Sequence, residues 1–385
     1  MDGVTVLPTA RRSHDAVGFL SVVVPVKGTA PHLARALEAL AASDYPRTRW
    51  ELIVVDDSGD PDVADLAARW ADSVVRLPGP TPGLAYARNR GVEIARGDIV
   101  VFVDAVVCVQ GDALRHLVTP MMADERVAAV SGAFDVRPST SLVSRYMGLR
   151  NAHEADRTAD DADAYWSGFG AIRTAVFVEL GMFNEWRVGF PHADAVENGA
   201  RIRSLGHRLV RSRDARAEHL HEWTLGDALR ATLRDSGTPW TRLPQDGRSR
   251  DPQVRRLRGA QRAAEAVAWI AAVAGITALA TSGAASSLLG ITALAGVATL
   301  LVLRSGVYGA FERAQGAAFA IAVLPLDLVM LLVSGLSRAR TSFVRGLVGE
   351  PRPDPTTEAF VEVGVKVWPP IPARRQPATS RGGAR

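Results

Sequence analysis

A single cysteine, Cys108, and only two lysines, Lys27 and Lys366, occur in the 385 residues of this chain. One thiol excludes an intrachain disulfide and any Cys-rich zinc site, and it leaves the redox compartment open. The scarcity of lysine hands nearly all positive charge to arginine, within a formal net charge of +4. Arginine forks pair bidentately with oxyanions, so phosphate and anionic lipid groups are the chemistry this bias favours, although most such side chains simply form a solvated face. The turn after the first apolar run, PVKGTAPHL, has one glycine and no GxGxxG, which argues against a nicotinamide-dependent enzyme. No GxxxxGK[ST] supports a P-loop and no GxSxG elbow supports a hydrolase. The opening MDGVTVLPTARRSHD lacks the apolar core of a secretory signal, so the first domain is expected in the cytoplasm.

What is present is uneven along the chain. Before about residue 250 the composition is that of a charged mixed domain, whereas 263–337 is dominated by Ala, Leu, Val, Ile and Gly. In the first part, FLSVVVPV (19–26), WELIVVDD (50–57), SVVRL (73–77) and DIVVFVD (98–104) are too short for helices. Being β-branched and nearly continuous, they are predicted as strands buried on both faces. Helical patterns separate them, with Leu33, Ala36, Leu37 and Leu40 on one face after Pro31, and further candidates at 62–70 and 84–95. Strand alternating with helix means an α/β architecture with a parallel sheet, and ligands in such sheets bind beyond the carboxyl ends of the strands. Those ends fall at 26–28, 56–59 and Asp104. From Ser131 the pattern loosens into aromatic and Gly-containing segments, followed by a helix at 194–205.

The last third holds three candidate membrane spans, 263–280, 286–303 and 317–337, each close to the ~20 residues that cross a bilayer. Ahead of the first lies RSRDPQVRRLRGAQR, whose arginines place that end on the cytoplasmic side, with the uncharged turn TSGAAS opposite. The third span contains Pro325 and Asp327 and is followed by Arg338 and Arg340. Three full crossings would put that basic end outside, against the positive-inside rule. A re-entrant or interfacial third segment removes the conflict, and both topologies stay open.

The succession SVVVPVKGTAPHLARALEAL, ELIVVDDSGD and GLAYARNRGVEIARGDIVVFVDA resembles the nucleotide-sugar half of a family 2 glycosyltransferase of the GT-A fold. The likeness continues through YWSGFGAIRTAVFVELGMFNE, ENGARIRSLG, HLHEWTL with PWTRL, and YGAFERAQGAAFAIAVLPL, roughly residues 19–340. The resemblance implies a mixed, mostly parallel GT-A sheet with helices on both faces, followed by a helical membrane region. It divides the chain into an N-terminal extension (1–18), a GT-A domain (19–247, its nucleotide-sugar half 19–130 and acceptor half 131–247), a basic juxtamembrane linker (248–262), transmembrane helices (263–340) and a disordered tail (341–385).

By the same resemblance, Pro25, Asp56 and Asp57 hold the nucleoside, and Arg88 with Asn89 lie on the diphosphate side. An Arg at the mouth of a parallel sheet can neutralise a diphosphate. Asp104 stands at the first position of the family's Asp-x-Asp, whose two carboxylates hold Mg²⁺ or Mn²⁺ against the donor diphosphate. His219 matches a family histidine and is a further candidate ligand. Trp223 and Trp240 are candidates for an acceptor-side platform. Two departures fall on the chemistry: Val106 replaces the second acid, and Ala195 stands where the family carries the Asp that acts as general base for the acceptor hydroxyl. Asp194 lies one residue earlier, about 100° round a helix, where it would serve either as an N-cap or as the remaining candidate base. His192 is a second candidate base.

The expectation is therefore a multi-pass protein of the cell membrane with its GT-A domain in the cytoplasm. It would transfer a sugar from a nucleotide-diphosphate sugar to a lipid-linked or cell-envelope acceptor, with a divalent cation as cofactor and no nucleic-acid partner. The alternative is a catalytically silent homologue that binds a nucleotide sugar or a partner enzyme. A nucleotidyltransferase on a related sheet is a third reading, weakened by the lack of a Gly- and Arg-rich loop after the first strand.

Overall fold

The computed structural model describes residues 18–28, 31–77, 83–135, 139–156, 165, 168–183, 185, 191–235 and 252–348. All of them belong to one compact unit, Val17–Pro351. The four apolar runs form β1 (Leu20–Lys27), β2 (Trp50–Asp57), β3 (Ser73–Arg76) and β4 (Ile99–Val103), close to their sequence-derived bounds. With β5 (Val107–Val109), β6 (Val127–Asp135), β7 (Phe169–Arg173) and β8 (Arg208–His219) they make one sheet in the order β3-β2-β1-β4-β7-β6-β8-β5.

Strands β3, β2, β1 and β4 are parallel, and β7 enters antiparallel between β4 and β6. This is the mixed, mostly parallel sheet that the resemblance implies. Alternate residues of the parallel strands bury themselves in two separate cores. Val22, Val24, Leu52 and Val54 face one side with α1 (Leu33–Ala41), α2 (Pro61–Ala68) and α4 (Ala113–Ala123). Val23, Ile53, Val55 and Phe102 face the other with α3 (Leu84–Ile94), α6 (Thr174–Glu179) and α7 (Pro191–Ser204). Burial on both faces explains why these strands are continuous in apolar residues rather than alternating. Each fully buried Val or Ile contributes about 1.5–3 kcal/mol from removal of apolar surface from water.

Helices α5 (Leu142–Asp156) and α8 (Leu225–Asp235) precede a helical C-terminal region. That region runs α9 (Pro252–Ala280), α10 (Gly283–Leu303), α11 (Ser305–Gln315), α12 (Ala317–Ala322) and α13 (Leu324–Val348). Four expectations change here. The basic stretch 248–262 is not a separate linker from Pro252 onward, because α9 continues through it. Pro252 opens the helix, where a missing N–H loses no intrahelical bond.

The third span, 317–337, is interrupted: α12 ends at Ala322, and α13 starts afresh with Pro325 in its first turn. Met330 of α13, Val307 and Phe311 of α11, and Phe319 share a core with Tyr146 and Met147 of α5 and Ala228 of α8. The segment therefore packs on the sheet domain, and among the described residues only Arg258–Ala280 and Gly283–Leu303 are long and apolar enough to cross a membrane. Residues 341–348 of the expected disordered tail are helical, and the remainder of that tail and the N-terminal extension through residue 17 lie outside the described residues. Lastly, α7 begins at Pro191, so Asp194 is inside the first turn and is not the N-cap.

Candidate functional site

The register of the parallel strands brings their carboxyl ends level. Pro25 pairs with Val55, Val26 with Asp56 and Lys27 with Asp57. Asp57 lies 3.6 Å from the Lys27 ammonium, and its carboxylate is nearly buried. Asp56 accepts from the Ser58 backbone N–H at 2.9 Å and from the Ser58 hydroxyl, with the Arg76 guanidinium 3.8 Å away. It thus shapes the turn after β2, as expected of an Asp-Ser-Gly segment, while standing at the strand end where a nucleoside would lie.

Helix α3 leans against the same edge. A Cβ at Gly91 would run into Val23 and Val55, so glycine at that position lets the helix sit close on β1 and β2. That close approach delivers Arg88 to β4. Its guanidinium Nη2 donates to Asp104 Oδ1 at 2.6 Å, with the Arg88 side chain 9% exposed and that of Asp104 26% exposed. Asp104 is held from the other side too. Its N–H donates to the Gly168 carbonyl at 2.9 Å, its carbonyl accepts from Val107 N–H at 2.9 Å, and a Cβ at Gly168 would come within 2.8 Å of Asp104 Oδ2. Gly168, in the SGFG stretch, is therefore what gives the Asp104 carboxylate its space.

Asn89 is turned elsewhere. Its amide nitrogen donates to the Phe183 carbonyl at 2.8 Å and to Glu185 Oε1 at 2.9 Å, and its oxygen accepts from Phe183 N–H at 3.1 Å. Both of its amide protons are engaged in fixing the segment around Phe183, and Arg90 joins the same Glu185 at 2.9 Å. Arg88 and Asn89 are neighbours in sequence that face different tasks.

His219 reaches Asp104 through the β5–β8 pairing, which sets it opposite Val107. Burial pushes its pKa down from the ordinary value, against the upward pull of the Asp104 carboxylate. Its Nδ1 accepts the His221 N–H at 3.3 Å, a hydrogen bond suited to a neutral ring. Asp104 and His219 are the ligand pair expected of a cation site. Among the described residues, however, no group of three or more His, Cys, Asp or Glu side chains is placed to hold a metal ion. The one carboxylate present is already paired with a cation, and Val106 contributes only its carbonyl, which accepts from Leu220 N–H. A hard divalent ion takes several oxygen ligands. The described side chains do not fit a protein-held divalent cation.

The expected acceptor side is less complete. Ala195 is buried, and its carbonyl accepts from Tyr165 N–H at 2.8 Å. The side chains of Asp194 and His192 lie outside the described residues, as does Trp240. Trp223 is half-buried against the Tyr146 and Phe311 core and stands edge-on to His221 at 4.9 Å. Its backbone N–H donates to the Ser144 hydroxyl at 2.7 Å. It therefore joins α5 to the segment after β8 and does not stand alone as a platform.

Tyr165 and Gly168 carried no role in the sequence reading. Tyr165 is fully buried in the core that includes Phe102 and Phe183, and Arg88 lies over the Phe183 ring at 5.8 Å. Burial raises the Tyr165 pKa far above its ordinary value, and the nearby Arg88 charge pulls the other way. The only signal for both residues was their place in YWSGFG, an aromatic and glycine cluster with no regular period.

Residues 21–181 match the family model described as glycosyl transferase family 2. A 151-residue stretch is 25% identical to the probable glycosyltransferase YdaM of Bacillus subtilis, covering 37% of this chain and 36% of that protein. Another of 118 residues is 27% identical to beta-monoglucosyldiacylglycerol synthase of Trichormus variabilis, covering 29% of this chain and 25% of that one. The matched stretches thus span about a quarter to a third of these curated relatives. Among solved structures, the mannosyltransferase PcManGT from Pyrobaculum calidifontis, in complex with GDP-Man and Mn²⁺, aligns at 20% identity and a TM-score of 0.44, covering 86% of this chain and 90% of that one.

Proposed function

On the premise that residues 21–181 form a family 2 glycosyl transferase segment, we propose that the chain transfers a sugar from a nucleotide-diphosphate sugar to a lipid-linked or cell-envelope acceptor at a membrane surface. The observation that carries this reading is the Arg88–Asp104 pair at 2.6 Å, set at the carboxyl edge of the parallel strands where a diphosphate would lie.

In the proposed transfer the nucleoside lies along Pro25, Asp56 and Asp57. Asp194, next to the buried Ala195, takes the proton of the acceptor hydroxyl. The hydroxyl oxygen bonds to the anomeric carbon as the bond from that carbon to the diphosphate breaks, and the electron pair leaves on the diphosphate. Arg88 takes up part of that charge, a preorganised electrostatic contribution. A positioned base of this kind is worth about 10²–10⁴ in rate. Trp223 and Trp240 are proposed to border the acceptor side, and His219 to face the donor as a neutral ring.

Membrane anchoring is supported by the hairpin of α9 and α10. Its two apolar segments of 23 and 21 residues extend about 1.5 Å per residue, enough for a ~30 Å hydrocarbon layer. Leu279, Leu294 and Val302 project outward and are 90%, 72% and 73% exposed. The similarity to a diacylglycerol glycosyl synthase favours a lipid acceptor. In this reading the protein is a multi-pass membrane protein with its sheet domain on the cytoplasmic face.

The test is donor turnover by the full chain in detergent with UDP- and GDP-sugars and a lipid extract as acceptor. Nucleoside diphosphate release that depends on added lipid is expected, with Asp194→Ala lowering the rate at least a hundredfold. The alternative of a silent homologue is favoured by Val106 and Ala195. Donor binding without turnover in the wild type, and equal inactivity in Asp194→Ala, would establish that alternative and refute the transferase.

A further inference from the structure

Arg88 is a buried cation with more donors than acceptors. Nη2 is satisfied by Asp104, but Nε is buried and has no acceptor among the described residues. The Tyr165 hydroxyl is in the same condition, fully buried and without a partner among the described residues. Buried donors left unpaired are unfavourable, and an ionised donor more so. The two side chains belong to one locality, since Phe183 is in the same core as Tyr165 and lies beneath the Arg88 guanidinium. Together they are two buried donors, one N–H and one O–H, that lack acceptors among the described residues, and Arg88 stands at the strand end of Asp104. Anionic oxygens are the acceptors that would satisfy them.

The acid at this point has a partner that a metal ligand would not have. Asp104 Oδ1 meets the guanidinium at hydrogen-bond distance, and the position two residues on is Val106. A second carboxylate there would bind a cation; a valine leaves Arg88 as the positive charge next to Asp104.

We propose that the donor diphosphate is held by Arg88 and the Tyr165 hydroxyl, with Asp104 serving as the counter-ion of Arg88, so that nucleotide binding needs no divalent cation. This rests on the glycosyltransferase reading of the same site. Asp104 neutralises and orients the guanidinium while the donor is absent, and it shares the guanidinium with phosphate oxygens when the donor arrives. Because both are anions, Asp104 weakens donor binding rather than strengthening it, which is the opposite of what a metal ligand does.

The experiment is calorimetric binding of UDP and GDP to the full chain in detergent, in EDTA and in excess Mn²⁺. Wild type, Asp104→Asn, Tyr165→Phe and Val106→Asp would be compared, with thermal melting as the check on folding. In wild type, Kd in EDTA and in Mn²⁺ should agree within about threefold. Asp104→Asn should bind as tightly as wild type or more tightly. Tyr165→Phe should bind roughly tenfold more weakly, the loss of one hydrogen bond to a charged group. Val106→Asp should bind poorly in EDTA and recover with Mn²⁺, since a second carboxylate repels the diphosphate until a cation bridges them. Binding by wild type that appears only with Mn²⁺, or that is abolished in a folded Asp104→Asn, would overturn this inference and leave the transferase reading intact. No binding of any nucleoside diphosphate or nucleotide sugar under either condition would overturn both.

Discussion

Gly91 and Gly168 decide where the two charged groups of the site can stand. The first lets α3 press against Val23 and Val55, and the second gives the Asp104 carboxylate room beside β7. Neither glycine has a positive φ, so the requirement is for space and not for backbone freedom. Gly91→Ala should therefore lower stability by about 1–3 kcal/mol, as expected for an added methyl in a packed core. It should also weaken nucleotide binding, because Arg88 rides on the same helix. Gly346, on α13, has nothing within 4 Å of its would-be Cβ. There the same substitution should be neutral or stabilising by up to about 1 kcal/mol. Denaturant melts of the two variants check this, and equal effects would refute the packing account.

At the scale of elements, the parallel strands were legible because burial on both faces leaves an unbroken β-branched signal, and strand ends in such sheets are where ligands go. That places Asp104 at the ligand edge, whereas Arg88 comes to the same edge only through the family resemblance of the ARNRG turn. Asn89 was not legible: its partners, Phe183 and Glu185, are about 95 residues away, and no local pattern encodes them. The same limit explains the third apolar run. Asp327 looks like a blemish in a membrane span, yet it is 0% exposed and bridged to Arg304 at 2.6 and 2.7 Å, to Tyr146 at 2.6 Å and to Tyr308 at 2.8 Å. Arg304 also donates to Gln261 of α9 at 3.2 Å. One carboxylate thus ties α13 and α11 to the end of α10, to α9, and to α5 of the sheet domain. Asp327→Ala would strand the Arg304 cation in a buried setting and should cost about 3–5 kcal/mol. Asp327→Asn, which keeps the shape and part of the hydrogen bonding, should cost less. Thermal melts in detergent rank the two, and an unchanged melt for Asp327→Ala would mean the network does not hold these helices.

For the whole molecule, the network and the hairpin bear on the proposed membrane topology. Arginines flank the start of α9, Arg304 closes α10, and α11 to α13 return to pack on α5 and α8. If the hairpin spans a bilayer as proposed, two crossings would return the chain to the side it left and put every basic end on the face of the sheet domain, in keeping with the positive-inside rule. Three crossings would have separated α13 from α5 by a bilayer, which the Tyr146–Asp327 hydrogen bond at 2.6 Å forbids. In membrane vesicles of Cys108→Ser protein, Ala42→Cys at the end of α1 and Thr281→Cys in the α9–α10 turn should react with an impermeant maleimide from opposite sides. Labelling of both from the same side of sealed vesicles would rule out a transmembrane hairpin and leave α9 and α10 as a surface element.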